Sequence, residues 1–186
     1  MHMKRLVYPI LVLAAVAAFI GFRQSAEFMQ YTHIASPTPY PAPVSLSIPS
    51  LAINAPVESV GKDADGSMDV PKDDMNVGWY RYGPRPGQPG SAVIAGHLDS
   101  KTGPAIFYSL SSLKPGDEVQ VVVEGGRILT FTVEKKETYP DSSFPIAAVF
   151  GPSREARLNL ITCQGVFDHA SQNYSDRLVV YTRLKE

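Results

Sequence analysis

The stretch Leu158-Asn159-Leu160-Ile161-Thr162-Cys163-Gln164-Gly165 decides how the rest of the chain is read, because it delivers the only cysteine of 186 residues. Alternation places Leu158, Leu160 and Thr162 on one face of an extended segment and Asn159, Ile161 and Cys163 on the other, the pattern of a short, largely buried strand. The thiol is expected at its C-terminal end, since Gln164 and Gly165 open a polar stretch that runs to Asp176. From there Cys163 faces either a core, as a member of one of the most buried residue types, or a cleft, as a nucleophile.

The N-terminus bears on that choice. Leu6–Phe22 is free of charged residues and rich in Leu, Val, Ala and Ile, with Lys4 and Arg5 before it and Arg23 after it. At about 1.5 Å rise per residue this run is just long enough to cross a bilayer, with the flanking cations able to snorkel. Two basic residues ahead of it favour a cytoplasmic N-terminus and an exterior remainder. A cleaved signal peptide is the rival, on the small residues Ala14–Ala18, but the apolar run continues past them through Phe19, Ile20 and Phe22. In an oxidising exterior a single cysteine has no partner for an internal disulfide, so it must be used or sealed away. The first 23 residues hold three of the 17 basic residues and none of the 18 acidic ones, leaving 14 against 18 and a net charge of −4 outside. That balance argues against a nucleic-acid or polybasic lipid surface.

Residues 24–43 shift to Ser, Thr and Gln with prolines at 37, 39, 41 and 43. Such spacing suits neither a helix nor an interior strand and reads as a semi-rigid spacer between a membrane segment, 1–23, and a single exterior domain, 44–186. In that domain Val44–Ile48, Ala52–Val60, Ser91–Ala95, Val119–Val123, Ile128–Val133, Leu158–Thr162 and Leu178–Leu184 are rich in Val, Ile, Leu and Thr. Asp65-Gly66, Pro115-Gly116 and Gly125-Gly126 mark turns between them. Short helices are expected near Ile106–Leu113 and Phe144–Phe150. The class is mainly β, a closed or nearly closed barrel or a sandwich. Asp63, Asp65, Ser67 and Asp69 resemble a calcium loop, but the sixth position, where an EF-hand needs glycine, is Met68. A hairpin turn at Asp65-Gly66 is the better account, and no metal or cofactor is expected.

Ala95-Gly96-His97-Leu98-Asp99-Ser100 ends an apolar run with a histidine at a strand terminus. A thiol nucleophile needs a partner that exchanges a proton near neutral pH, and imidazole suits it. His97 is the candidate, with His169, in the loop after Cys163, as its rival; His2 and His33 lie in the membrane-proximal part. Arg177 stands at the start of a final apolar strand, where its guanidinium either donates to a carbonyl or oxyanion or forms a salt bridge with Asp176 or Asp168.

Taken together, Ala95-Gly96-His97, the Leu-Ile-Thr-Cys run ending at Cys163, and Arg177 ahead of Leu-Val-Val-Tyr make the chain resemble the sortase family, the cysteine transpeptidases of Gram-positive surfaces. Asp65-Gly66, Val77-Gly78-Trp79-Tyr80, Pro86-Gly87, His97-Leu98-Asp99-Ser100 with Thr102-Gly103-Pro104, and Gly116-Asp117 look most like its class F branch, common in actinobacteria. The resemblance covers roughly Val44 to Leu184. It implies an eight-stranded sortase β-barrel with Cys163, His97 and Arg177 as the catalytic set and Thr162 assisting at the substrate. It further implies proteins with a Leu-Pro-Xaa-Thr-Gly-like (LPxTG-like) sorting signal and a cell-wall amine of the lipid II type as partners, and a place in the cell membrane. No second apolar segment toward the C-terminus and no lid are evident, which separates the chain from the pilus-polymerising branch.

Other cysteine enzymes of the wall fit less well. Papain-like peptidases put the cysteine at a helix start with the histidine later in the chain, and L,D-transpeptidases carry a Ser-His-Gly-Cys motif absent here. A non-catalytic anchored β-domain is the remaining alternative.

Overall fold

Runs of β-branched residues broken every few positions by glycine and proline favour sheet over helix throughout the exterior domain. The structure, a computed structural model that describes residues 40–185, bears this out. The expected membrane segment 1–23 and the spacer up to residue 39 lie outside the described residues. The strands are β1 (Pro43–Ile48), β2 (Ile53–Val60), β3 (Val77–Tyr80), β4 (Gly90–Ala95), β5 (Asp99–Ser100), β6 (Gly103–Pro104), β7 (Glu118–Val123), β8 (Ile128–Pro140), β9 (Ala156–Asp168) and β10 (Asn173–Leu184). One short helix, α1 (Ile146–Phe150), and 3-10 turns at Pro49–Leu51, Leu110–Ser112 and Asp141–Ser143 complete the described part.

Eight strands close into a barrel in the order β1-β2-β3-β4-β9-β10-β8-β7, with β7 returning to β1. Closure leaves no free edge in the barrel, and β5 and β6 form a separate two-stranded ribbon. Neighbours are antiparallel except β2 with β3 and β4 with β9, which run parallel. A parallel pair needs a crossover rather than a tight turn. Residues 61–76 supply it for β2 and β3.

Alternate residues fill the barrel. Leu46, Ile48, Ile94, Phe131, Leu158, Leu160 and Val180 meet inside it, together with Phe107, Leu110 and Leu113 from the segment that follows His97. On the other face of β4, β9 and β10, Val93, Ile161, Val179 and Tyr181 pack against Val149 of α1. These strands are covered on both sides. That explains why Ser91–Ile94 and Leu158–Thr162 are buried without a break, where an exposed outer face would alternate. The buried Asn159 gives its Nδ2–H to the Val149 carbonyl at 2.7 Å, pinning α1 to β9.

Several strands outrun their apolar cores. β8 continues to Pro140 rather than ending at Val133, β10 starts at Asn173, and β9 runs past Cys163 to Asp168. The thiol is therefore within a strand and not at its end, which corrects the sequence reading. The extra residues pair as a polar hairpin beyond the two-sided core, and backbone ladders need no apolar side chains. A register shift between Tyr174 and Asp176 marks a bulge there. Gly165 makes it possible: its φ is +88°, and a Cβ would fall 2.2 Å from Asp176 Oδ2. The helix expected near Ile106–Leu113 is reduced to the turn Leu110–Ser112, while Phe144–Phe150 yields α1. Asp65-Gly66 is a turn, held by the Asp63 and Asp65 carboxylates accepting from the Ser67 N–H at 3.0 and 2.9 Å.

Leu160 sits at the centre of β9 with no exposed surface. Leu160→Ala is expected to lower the unfolding free energy by about 2–5 kcal/mol, read from the shift in denaturant midpoint.

Candidate active site

Two registers of β9 bring the candidate residues together. On one side β9 runs parallel to β4, with Ala95 beside Ile161. The ladder continues one step beyond the strand, the Gly96 N–H donating to the Ile161 carbonyl at 3.1 Å. Thr162 Oγ1–H then donates to the Gly96 carbonyl at 2.8 Å. His97 is the next residue after Gly96, as Cys163 is after Thr162. On the other side β9 is antiparallel to β10, and Cys163 is paired with Arg177. Residues directly opposite in an antiparallel pair project to the same face, so thiol and guanidinium share one side of the sheet.

The His97 backbone is seated by the Phe107 N–H, which donates to the His97 carbonyl at 2.9 Å. Gly96 is required for that seat, because a Cβ there would stand 2.6 Å from Phe107 Cδ2. His97 Nε2 lies 2.9 Å from the Pro71 carbonyl of the β2–β3 crossover. Tyr174 of β10 gives its O–H to Asp99 Oδ2 at 2.5 Å, fastening the His97 segment to the hairpin that carries Arg177. The tyrosine hydroxyl is consequently pushed up to about 12, first by this hydrogen bond to Asp99.

Arg177 is held more tightly than the sequence suggested. Its Nη1 donates to the carbonyls of Tyr174 and Asp176 at 3.1 and 3.0 Å, while Nη2 donates to Asn173 Oδ1 at 2.7 Å and pairs with Asp141 Oδ1 at 3.1 Å. Three hydrogen bonds and the Asp141 ion pair occupy Nη1 and Nη2, and among the described residues Nε–H has no hydrogen-bond partner. The ion pair is with Asp141, not with Asp176 or Asp168. Asp176 contributes only its backbone carbonyl, and the Asp168 carboxylate accepts from the Ala170 N–H and the Ser171 hydroxyl.

The thiol is half-buried. Burial pushes Cys163 above the ordinary thiol range, the Arg177 charge acts in the opposite sense, and Asp99 and Asp141 add to the rise. Cys163 accordingly rests as a neutral thiol near neutral pH.

His169 is not part of this arrangement. It stands beyond the end of β9, roughly 16 Å or more along the strand from Cys163 at about 3.3 Å per residue. There it packs edge-on against Phe167, with ring centroids 5.1 Å apart. Thr162, expected to assist at the substrate, is 3% exposed and gives its hydroxyl proton to Gly96. It is a tie between β9 and the His97 segment. Among the described residues no three His, Cys, Asp or Glu side chains converge as a metal site would require. Tyr174, Asp141, Asn173 and Pro71 had no mark in the sequence, because each reaches the site through the packing of strands and loops and not through a local motif; Asp99 lies in the segment already singled out after His97, but its bond to Tyr174 was not legible.

A thiol on β9, a guanidinium across from it on β10 and an imidazole two residues past the end of β4 thus lie in one part of a closed eight-stranded barrel. A family profile described as Sortase domain matches residues 46–185, and the chain belongs to the sortase family. Its fold is shared with sortase A from Corynebacterium diphtheriae, at a TM-score of 0.61 and 22% identity over 78% of this chain and 61% of that one. It is likewise similar to sortase C1 of Streptococcus agalactiae pilus island 1 (TM-score 0.60, 19% identity, 76% and 63% covered). Sortase A of Listeria monocytogenes gives a TM-score of 0.59 and 21% identity, with 78% and 88% covered. The chain thus spans about three fifths of the length of the Corynebacterium structure. No curated protein sequence matches it.

Alkylation of Cys163 by iodoacetamide should accelerate as pH rises, with a midpoint more alkaline than that of a free cysteine. Arg177→Gln, which removes the opposing charge, should move that midpoint further up; a downward movement would contradict the electrostatic account. Thr162→Val leaves the Gly96 carbonyl without its buried donor and should cost about 1–3 kcal/mol in a denaturation series.

Proposed function

We propose that this protein is a membrane-anchored sortase of the class F type that cleaves an LPxTG-like sorting signal after its threonine and transfers the protein to a cell-wall amine. The observation that carries the reading is the cross-strand pairing of Cys163 with Arg177, with His97 just past the end of β4, the parallel neighbour of the same strand. His97 takes the Cys163 proton, the sulfur attacks the threonine carbonyl carbon, and a tetrahedral adduct forms with its charge on oxygen. Arg177, through the Nε–H left without a protein partner, donates to that oxygen. As the adduct collapses the peptide C–N bond breaks, His97 gives its proton to the leaving amine, and a thioester to Cys163 remains. An incoming amine attacks the thioester, His97 takes its proton, and the thiol is released as the new amide forms. The same imidazole serves in both directions.

The neutral resting thiol has a consequence for rate. Only the fraction of molecules carrying thiolate with protonated imidazole is competent, so turnover is slow. The class F assignment is supported by the Val77-Gly78-Trp79-Tyr80, Pro86-Gly87 and His97-Leu98-Asp99-Ser100 segments. Anchoring, and with it a place in the cell membrane, is supported by the apolar run Leu6–Phe22 between basic residues. A lipid II type precursor is the acceptor that such a position favours. The net negative exterior speaks for protein and wall partners rather than nucleic acid.

The test is incubation of the full chain with a fluorogenic Leu-Pro-Xaa-Thr-Gly peptide, with and without an added amine. Cleavage should require Cys163 and yield a ligated product when amine is present; Cys163→Ala should be inert. His97→Ala should abolish turnover and His169→Ala leave most of it. Arg177→Lys should lose on the order of 10²-fold in kcat, since a point donor cannot reproduce the planar fork. Near-normal activity of Arg177→Lys would remove its assigned role. An unreactive Cys163 with no cleavage would favour a non-catalytic anchored barrel.

A further inference from the structure

The β2–β3 crossover brings one peptide group between two functional side chains. The carbonyl of Pro71 lies 2.9 Å from His97 Nε2, and the N–H at the other end of the same peptide bond, that of Lys72, donates to Glu58 Oε2 at 3.0 Å. A carbonyl oxygen has no hydrogen to offer, so the ring nitrogen facing it carries the proton. In the neutral ring Nδ1 is then the acceptor.

The peptide is fixed from several directions. Glu58 Oε1 accepts from Asn76 Nδ2 at 2.9 Å and from the Asp73 N–H at 3.3 Å, so the carboxylate grips both ends of the segment after Pro71. Pro71 is buried, and its ring packs on Gly78 of β3, where a Cβ would stand 3.2 Å from Pro71 Cδ. Gly78 is also the register partner of Glu58. Further along, the Asp74 carbonyl accepts from the Ile106 N–H at 3.0 Å, next to the Phe107 N–H that holds the His97 carbonyl. These hydrogen bonds, that of the Lys72 N–H first, hold the Glu58 carboxyl below the usual carboxylate range. Glu58 is thus ionised at neutral pH. A full negative charge at the N–H end of an amide strengthens the acceptor at its carbonyl end.

We propose that Glu58 is a positioning residue for His97, the outer member of a carboxylate–peptide–imidazole relay in which the Pro71–Lys72 amide holds the ring as its Nε2-protonated tautomer and leaves Nδ1 to exchange the catalytic proton. The arrangement does through a backbone amide what a carboxylate does directly for the histidine of a Ser-His-Asp triad. It rests on the reading of His97 as the proton carrier. Glu58 touches neither substrate nor thiol, so its loss acts on the chemical step and not on peptide binding.

The experiment uses the full chain labelled with ¹⁵N-histidine, Glu58→Gln, and Lys72→Pro, which deletes the bridging N–H while keeping Glu58. Long-range ¹H–¹⁵N spectra of the His97 ring should show the Nε2–H tautomer in the parent protein and a mixture of tautomers in either variant. With the sorting-signal peptide, kcat should fall at least tenfold in either variant while KM stays within twofold. An unchanged tautomer signature, or a kcat within twofold of the parent in Glu58→Gln, would overturn the proposal. So would parallel losses in kcat, KM and melting temperature with the tautomer intact, since those describe a loosened loop. Should the parent protein not cleave the peptide, the transpeptidase reading fails, and the ring spectra alone still decide the relay.

Discussion

The position of β9 between two neighbours of opposite sense is the constraint on which the site depends. A parallel partner, β4, delivers the residues after its own end to the level of Cys163, and an antiparallel partner, β10, places Arg177 directly across from it. A slip of one residue in either register would turn its side chain to the opposite face of the sheet. The register is correspondingly over-determined. Leu158 and Leu160 are locked into the barrel, Ile161 lies under α1, Asn159 holds the Val149 carbonyl, and Thr182 Oγ1–H donates to the Leu158 carbonyl at 2.7 Å. Two buried faces leave no cheap alternative pairing.

Around this strand the polar contacts serve orientation more than stability. Exposed ion pairs contribute little to folding, yet the Asp141 contact, with its partly buried guanidinium, and the contacts to Asn173 and two carbonyls fix the orientation of the Arg177 side chain. On the other side the Pro71 carbonyl faces the His97 ring, and the Phe107 N–H holds the His97 backbone carbonyl. Side chains set in advance have less freedom to lose when a peptide binds. Cys163 is the exception. Its half-buried setting raises the thiol against the opposing charge of Arg177.

Membership of the sortase family and the barrel architecture rest on the family match and the shared fold. The barrel is shared with solved sortases at identities of only about one fifth.

What the sequence determined by itself follows from short-range physics. Turn residues and runs of β-branched residues define strands, so the mainly β class, the turn at Asp65-Gly66 and most strand cores were legible, as were a lone cysteine on an apolar run and a histidine just past another. It could not set how far β8, β9 and β10 extend, because paired backbones in a polar hairpin carry no hydrophobic signature; hence Cys163 was read at a strand end. Nor could it assign Asp141 to Arg177 or turn the Thr162 hydroxyl toward Gly96. Those outcomes were decided by tertiary structure, since each depends on which strand lies beside β9 and in what register. Register is the sum of many side-chain fits across the closed barrel, and no local stretch contains it.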